Sequence, residues 1–249
     1  MYRALFVDVD GTLVSSEHAL PSKKVKEALL NLKKNDVYVC IVTTRQFSKI
    51  EKICKELNLS GLSVVSAGAQ IVDVETGKYI YEYIIDHEST IKICKLLESY
   101  EENIDFWIQD DGVDCRYSTS YNPNKPFAII VRNLTNQFAD KIINIIMSTT
   151  EVFCTKVPTY QKDLVDLCIT NKRATKKHGV DIVIKSLKIS KDKAVGIGDG
   201  ENDIEFIKSC GLKIAMGNAV RSVKEIADYT APDVTKDGVV VAINKYFLS

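Results

Sequence analysis

Short apolar runs alternate with helix-like segments at the start of this 249-residue chain, and this alternation is the strongest constraint on its fold. The runs cover residues 4–7, 37–42 and 62–65, and the segments between them, 22–34 and 47–57, read as helices. The first two runs are apolar throughout, which is typical of strands covered on both faces. The alternation predicts a parallel sheet with crossover helices.

The pattern changes after about residue 70. Two short runs, 71–74 and 79–84, flank a turn that contains Gly77, and they predict a hairpin. The predicted elements that follow are strands at residues 104–109, 113–117, 127–131, 152–155 and 164–169, and helices at 89–100 and 136–147. Hairpin-like strands combined with single helices predict a separate α+β module with an antiparallel sheet.

The first pattern returns from about residue 173 to the end. The predicted elements here are helices at residues 174–187, 201–210, 219–227 and 238–247, and strands at 194–197 and 212–215. We therefore predict an α/β fold with a Rossmann-like parallel-sheet core built from residues 1–84 and 171–249. An α+β cap domain with an antiparallel sheet, residues 85–170, is inserted between the two parts of the core.

The charge and hydropathy of the chain exclude several classes of partner. Thirty-three basic residues balance 33 acidic ones, which excludes the broad cationic field of a protein that grips nucleic acid or anionic membrane. The longest apolar run has six residues, whereas a membrane-spanning helix needs about 20. Two acids interrupt the N-terminus where a signal peptide would stay apolar, and the seven cysteines form no C-x-x-C pair. We expect a cytoplasmic protein with no nucleic-acid or membrane partner, and no feature indicates a protein partner.

Four aspartates follow predicted parallel strands, at the place where open α/β sheets bind their ligands. Asp8 and Asp10 close the first strand, and at a spacing of two their side chains leave it on one side. Asp199 and Asp203 follow the strand at 194–197, and a helix that began at once would place both on one face. Either pair alone is compatible with a helix cap or a turn, but glycines beside both pairs favour a common functional site.

Converging carboxylates need a compensating cation, because they repel one another and raise each other's pKa. The motifs contain oxygen donors and neither His nor Cys, and this donor set favours Mg²⁺. A cation held by few protein ligands normally shares its site with a substrate phosphate. Thr43, at the end of the second strand, and Lys176, in a basic stretch, are suited to bind that phosphate. Lys172, Arg173 and Lys177 are alternatives to Lys176.

In their order along the chain, these residues resemble the four motifs of the haloacid dehalogenase superfamily. The motifs are Asp8-Val9-Asp10-Gly11-Thr12, Thr43, Lys176 and Gly198-Asp199-Gly200-Glu201-Asn202-Asp203. The last motif, and the module inserted after the second, look like those of the Cof-type sugar-phosphate phosphatases. The similarity covers essentially the whole chain, although the cap matches only in its pattern.

The resemblance implies Mg²⁺-dependent hydrolysis of a small phosphorylated metabolite, such as a sugar phosphate. Asp8 is then the nucleophile that forms an aspartyl phosphate, and Asp10 protonates the leaving oxygen and afterwards activates water. The implied metal ligands are Asp8, Asp199, the backbone carbonyl of Asp10 and, directly or through the other ligands, Asp203. The implied contacts to the phosphate group are Thr43, Lys176 and Asn202.

Two positions depart from the family pattern. The second motif commonly reads Thr-Gly-Arg, whereas this chain has Thr44 before Arg45, so the backbone at Thr44 has to avoid a positive φ. Arg45 either contacts the substrate or pairs with an acid. Ala67 stands where the family commonly has asparagine, and the loss of that amide affects contacts to the substrate rather than the nucleophile or the metal.

Two other functions are compatible with these motifs. A phosphomutase would pass the phosphoryl group from the same aspartate to a second sugar hydroxyl, and a non-catalytic sensor would bind a phosphorylated ligand without turnover. In an enzyme, the inserted cap would close over the carboxylates, exclude water and set substrate choice. The polar candidates for that choice near the cap turns are Asp110, Asp111, Arg116, Tyr121 and Asn122.

Overall fold

The secondary structure follows the chain in three blocks. A computed structural model describes residues 1–15, 19–100, 104–159, 161 and 163–248. The elements of the first block are β1 (Ala4–Val7), α1 (Lys23–Lys34), β2 (Tyr38–Ile41), α2 (Phe47–Glu56), β3 (Leu62–Val65), β4 (Gln70–Asp73) and β5 (Tyr79–Glu82). Those of the second are α3 (His87–Glu98), β6 (Phe106–Asp110), β7 (Val113–Cys115), β8 (Pro126–Thr135), α4 (Asn136–Thr149), β9 (Val152–Pro158) and β10 (Leu164–Asn171). Those of the third are α5 (Lys176–Ser186), β11 (Ala194–Gly198), α6 (Ile204–Lys208), β12 (Leu212–Ala215), α7 (Arg221–Ile226), β13 (Tyr229–Thr230) and α8 (Gly238–Tyr246).

The first and third blocks share a five-stranded sheet of order β13-β12-β11-β1-β2, in which every neighbouring pair is parallel. Ala4 of β1 is in register with Ala194 of β11 on one side and with Tyr38 of β2 on the other. β1 is completely buried in a core that also contains apolar residues of α1, α2, α5, α6 and α8. The predicted parallel α/β core is confirmed, and its topology places the strand ends of β1 and β11 side by side.

β3 joins the parallel sheet less fully than the sequence predicts. It pairs antiparallel with β4, which pairs antiparallel with β5, and it meets the parallel sheet through an isolated bridge between Val42 and Val64. The backbone N–H of Ile41 donates to the hydroxyl of Ser63, so a side chain replaces part of the ladder. The tight turn at 66–68 then reverses the chain, so that β4 runs antiparallel to β3. A parallel connection would need a crossover of about a dozen residues or more. The bridge between Val42 and Val64 is parallel, so the predicted direction of residues 62–65 is confirmed, although a single bridge rather than a continuous ladder joins them to the parallel sheet.

The second block forms an antiparallel sheet of order β7-β6-β8-β10-β9. The apolar side chains that pack one face of this sheet against α3 and α4 are Ile108, Ile129, Val131, Leu167 and Ile169. The other face turns towards the core, where Ala128 of β8 and Cys168 of β10 contact Ala67. The inserted α+β cap is confirmed as part of the fold, and its boundaries at residues 85 and 170 stay a prediction.

Two expectations from composition concern membranes and disulfides. In the described part of the chain, no helix combines the length and the apolar character needed to cross a membrane, and the longest, α4, has 14 residues. All seven cysteines are free thiols; Cys115 is half-buried and the others are buried. Covalent cross-links therefore play no part in holding the described residues together.

Candidate active site

Acidic side chains from the two ends of the chain meet at the carboxyl edge of the parallel sheet. Asp8 follows β1, and Asp199 and Asp203 follow β11, the strand that pairs with β1. One carboxylate oxygen from each of these three residues lies within 4.8 Å of the other two. The predicted convergence of the first and last motifs is thus a direct result of strand order.

Lys176 lies between two of these carboxylates. Its Nζ donates to Oδ1 of Asp8 at 2.7 Å and to Oδ1 of Asp203 at 2.6 Å. The three side chains are 4%, 7% and 1% exposed, so the ion pairs are shielded from water. Lys176 is the first residue of α5, and Thr175 caps that helix by accepting from the backbone N–H of His178. The ammonium group therefore approaches the acids from a helix end that is held in place.

The other basic residues of this stretch have different surroundings. Lys172 and Arg173 are exposed, and Lys177 pairs with Asp181. The side chain that reaches the carboxylates is that of Lys176, the residue preferred on sequence grounds.

Asp203 is held by the loop that precedes α6. Its Oδ2 accepts hydrogen bonds from the backbone N–H groups of Asp199 and Gly200, both at 3.0 Å, while its Oδ1 accepts from Lys176. Both oxygens of Asp203 are therefore engaged with the protein. This arrangement suits a residue that holds Lys176 and the Asp199 loop in position better than one that gives its oxygens to a metal.

The helix predicted from Glu201 begins later than expected. Residues 201–203 form a 3-10 turn, and α6 begins at Ile204. Asp199 and Asp203 consequently do not share a helix face. The hydrogen bonds of the loop bring them together instead, because the backbone N–H groups at the start of the turn point at the Asp203 carboxylate.

Asp199 is oriented by two neutral side chains. Thr12 Oγ1 donates to its Oδ1 at 3.0 Å, and Asn218 Nδ2 lies 3.3 Å from its Oδ2. Asn218 also donates to the carbonyl of Gly11 at 2.8 Å, which ties the first motif to the last. The sequence reading missed Asn218, although it follows β12, the next strand of the parallel sheet, and the same strand-end argument applies to it.

Two glycines at positive φ allow the backbone to approach these groups. Gly11 has a φ of 75°, and a Cβ there would collide with the carboxylate of Asp199. Gly68 has a φ of 99°, and a Cβ there would collide with the carbonyl of Thr175, next to Lys176. At each position, only glycine both adopts the positive φ without strain and leaves the space that a Cβ would fill.

Burial and mutual repulsion raise the pKa values of the clustered carboxyl groups. Burial and the charge of Asp203 raise the pKa of Asp8 well above its usual value, against the opposing effect of Lys176. Burial and Asp203 likewise raise the pKa of Asp199 to about 7. Burial alone would lower the pKa of Lys176, but the two carboxylates it contacts outweigh this and raise it. The cluster thus holds more negative charge than Lys176 offsets, and its all-oxygen donors fit Mg²⁺.

Asp10 lies at the border of the cluster and pairs with Arg45. Arg45 donates from Nε to Oδ2 of Asp10 at 2.9 Å and from Nη2 to Oδ1 at 2.5 Å. Of the two roles left open for Arg45, the structure shows the pairing with an acid. The Asp10 carboxylate is not in the group of three close carboxylates, so its predicted part in metal binding rests on its backbone carbonyl. The two-point contact fixes the orientation of the Asp10 carboxylate.

Thr43 and Asn202 follow β2 and β11, at the same edge of the sheet as the acids. Thr43 is fully buried, and its hydroxyl oxygen accepts from the backbone N–H of Arg45 at 3.1 Å. Asn202 lies in the 3-10 turn with its side-chain oxygen against Gly200. Their contacts to a phosphate group stay predictions.

The two positions that depart from the family pattern, Thr44 and Ala67, differ in the sign of their backbone φ angle. Thr44 does not have a positive φ, as expected for a β-branched residue in place of glycine. Ala67 has a φ of 57°, in the left-handed region that asparagine and glycine tolerate better than alanine does. Its N–H donates to the carbonyl of Thr43 at 3.0 Å. The loop therefore keeps this conformation without a side-chain amide at position 67.

A cleft of about 640 Å³ separates Asp10 from the inner face of the cap sheet. The core residues that line it are Asp10, Thr44, Arg45, Gln46 and Lys49. The cap residues that line it include Trp107, Gln109, Ile130, Arg132 and Asp166. The five polar residues predicted near the cap turns are not among its lining residues. Asp110, for example, instead organises a turn by accepting hydrogen bonds from the hydroxyl of Tyr121 and the backbone N–H of Asn124.

Comparison with known proteins agrees with this geometry. The model of the haloacid dehalogenase-like hydrolases matches residues 5–243. The stress response protein YhaX of Bacillus subtilis is 27% identical, over 98% of this chain and 92% of that protein. The 5-amino-6-(5-phospho-D-ribitylamino)uracil phosphatase YitU of the same species is 23% identical, over 97% of this chain and 96% of that protein.

Solved structures share the fold over nearly the full length. A haloacid dehalogenase-like hydrolase from B. subtilis superposes with a TM-score of 0.84 at 18% identity, covering 98% of this chain and 99% of that one. A sugar phosphatase of subclass IIB superposes with a TM-score of 0.81 at 22% identity, covering 99% of this chain and 100% of that one. Core and cap together therefore match proteins that have the same architecture.

Proposed function

The chain belongs to the haloacid dehalogenase-like hydrolases and is a phosphatase of that family, and we propose that it hydrolyses a small phosphomonoester, such as a sugar phosphate, through an aspartyl phosphate on Asp8. The observation that carries this proposal is the placement of Lys176 between Asp8 and Asp203, with Asp199 alongside. A carboxylate that attacks a phosphate dianion has to overcome charge repulsion. A buried ammonium group in contact with the nucleophile reduces that repulsion and stabilises the charge on the transferring phosphoryl group.

The two proposed steps use Asp8 and Asp10 in turn. In the first, the Asp8 carboxylate attacks phosphorus, the ester P–O bond breaks, and Asp10 gives its proton to the leaving oxygen. In the second, Asp10 takes a proton from a water molecule whose oxygen attacks phosphorus, and the bond to Asp8 breaks. Inorganic phosphate leaves, and both aspartates return to their starting forms. Asp10 lines the cleft, and its contact with Arg45 fixes the orientation of its carboxyl group, which supports this role.

The proposed metal ligands are Asp8, Asp199 and the backbone carbonyl of Asp10. Asp203 supports the metal site directly or through the other ligands. Bound there, Mg²⁺ would neutralise the excess negative charge of the cluster and the charge on the phosphoryl oxygens. Thr12 and Asn218 would keep the Asp199 carboxylate turned towards the site through their hydrogen bonds. Thr43, Lys176 and Asn202 are the proposed contacts to the phosphate.

The names of the relatives support a small phosphorylated substrate. YitU is named as a phosphatase of a phosphoribityl compound, and the subclass IIB structure is that of a sugar phosphatase. The seven free cysteines and the charge balance also support the cytoplasm as its location and a metabolite, rather than nucleic acid or membrane, as its partner.

The proposed metal dependence predicts that Mg²⁺ is required for phosphate release. We expect the protein to release inorganic phosphate from p-nitrophenyl phosphate with Mg²⁺ and to lose this activity in excess EDTA. Asp199→Asn should lower kcat/KM by at least about 100-fold at saturating Mg²⁺, because it removes a charged metal ligand. Asp36→Asn makes the same change at an exposed position and serves as the control.

Assays of released phosphate over a panel of sugar phosphates check this prediction. Turnover that is insensitive to EDTA, or an Asp199→Asn variant as active as Asp36→Asn, would contradict it. Formation of an isomeric sugar phosphate without free phosphate would instead support the phosphomutase.

A further inference from the structure

The cap face that borders the cleft carries an alternating set of side chains from β6. Phe106 and Ile108 pack against the cap helices, so Trp107 and Gln109 point to the opposite face, towards the core. Gln109 is in register with Ala128 of β8. The small side chain opposite leaves space beside the Gln109 amide, close to where the cap meets the core.

Gln109 is buried, and the oxygen of its side-chain amide lacks a hydrogen-bond partner among the described residues. The residue is 7% exposed, and the atom concerned is Oε1. A buried amide oxygen without a partner destabilises the folded protein, whereas a replacement by an apolar side chain of similar size would avoid that cost. An unpartnered amide that lines a cleft is best explained by a bound molecule that supplies the missing partner.

The charged residues that line the described part of the cleft compensate one another in pairs. Arg45 pairs with Asp10, and Lys49 pairs with Asp114 at 2.5 Å. The third pair joins Nε of Arg132 to Oδ2 of Asp166 at 3.6 Å. With three cations matched to three carboxylates, the described lining of the cleft offers no net positive charge to a second anionic group on the substrate.

The cap surface of the cleft also has an apolar part, beside the polar residues Asn133, Thr159 and Gln161. Trp107, Ile130 and Val157 lie in three different strands of the same sheet face. Arg116 stacks on the Trp107 ring with its guanidinium carbon 3.6 Å from the ring centre, which fixes the orientation of the indole. The apolar part packs against the carbon chain or ring face of a substrate, and among the polar cap residues of the cleft Gln109 is the one whose buried amide oxygen lacks a partner among the described residues.

On the basis of the function proposed above, we infer that Gln109 determines specificity by exchanging a hydrogen bond with a hydroxyl group of an uncharged leaving group. The substrates of this protein are then monophosphates of neutral polyols or sugars. A hydroxyl suits this amide in particular because it can donate to the oxygen or accept from the nitrogen. Phosphomonoesters with a second phosphate or a carboxylate are disfavoured, because the residues described in the cleft lining would leave their charge without a partner.

Three four-carbon substrates separate these requirements: erythritol 4-phosphate has neutral hydroxyls, butyl phosphate has none, and erythronate 4-phosphate adds a carboxylate. For the wild-type protein we expect kcat/KM for erythritol 4-phosphate to exceed the other two values by at least about tenfold. In Gln109→Leu, the ratio of the kcat/KM value for erythritol 4-phosphate to that for butyl phosphate should fall. The midpoint of thermal unfolding should stay at or above that of the wild type, because the unpartnered amide is gone.

Gln137→Leu makes the same replacement on the exposed surface of the cap helix α4 and should keep the wild-type ratio. Equal values for the three substrates with the wild-type protein, or an unchanged ratio in Gln109→Leu, would overturn the inference while leaving the proposed function intact. If Gln109→Leu fails to fold, equal values for the three substrates with the wild-type protein would still overturn the inference. Failure to hydrolyse all three substrates and p-nitrophenyl phosphate would instead overturn the proposed function.

Discussion

Asp8→Asn is expected to lower kcat for p-nitrophenyl phosphate by at least about 10⁴-fold, the scale of loss when a covalent catalyst is deprived of its nucleophile. The variant should stay folded, because asparagine has the same shape and Lys176 keeps its contact to Asp203. A neutral amide at position 8 also removes the repulsion that Asp203 and Asp199 exert on the Asp8 carboxylate in the wild type. Steady-state kinetics and thermal unfolding of the purified variant provide the two measurements.

The Asp36→Asn control should match the wild type in both measurements. An Asp8→Asn variant within about tenfold of wild-type kcat would contradict the assignment of the nucleophile. A loss of activity accompanied by a large fall in the unfolding midpoint would assign Asp8 a structural role instead.

Lys176→Met is expected to cost about 3–5 kcal/mol of unfolding free energy, because it leaves buried carboxylates without their cation. Methionine has a similar length and packs well, so the loss of charge compensation is the main effect. The pKa directions agree: Lys176 opposes the upward shift of the Asp8 pKa, and both of its carboxylate partners raise its own pKa. Urea unfolding in EDTA measures the effect free of bound metal.

Lys177→Met is the matched control, since Lys177 is the next residue and forms a half-exposed pair with Asp181. That pair is worth about 0–1 kcal/mol. A Lys176→Met variant as stable as Lys177→Met would show that the carboxylates do not depend on Lys176. Added Mg²⁺ should restore part of the stability of Lys176→Met by binding the same acids.

Strand order explains why so much of the site could be predicted from sequence. Asp8 and Asp199 each follow an apolar strand, and in an open α/β sheet the carboxyl ends of parallel strands lie at one edge. The resemblance to the family favours Lys176 over its basic neighbours, and the structure gives the physical distinction. It is the first residue of a capped helix that begins beside that edge.

The parts that escaped prediction depend on local backbone geometry or on tertiary contacts. The 3-10 turn before Ile204 delays the helix, so loop hydrogen bonds rather than helix periodicity place Asp203. Asn218 reaches the site from a loop without a motif of its own. Gln109 is an ordinary polar residue in the sequence, and its significance appears only when the cap sheet buries it beside the cleft.

The most direct test of the mechanism is a chemical trap for the phosphorylated form of residue 8. Asp10→Asn removes the group that activates water, while p-nitrophenol is a good leaving group that needs little help from an acid, so an aspartyl phosphate should accumulate. Acid quenching followed by borohydride reduction converts an aspartyl phosphate to homoserine, which peptide mass spectrometry detects. We predict homoserine at position 8 only when substrate and Mg²⁺ are both present. Continued turnover by Asp10→Asn with an unmodified Asp8, or with the modification at another aspartate, would contradict the account.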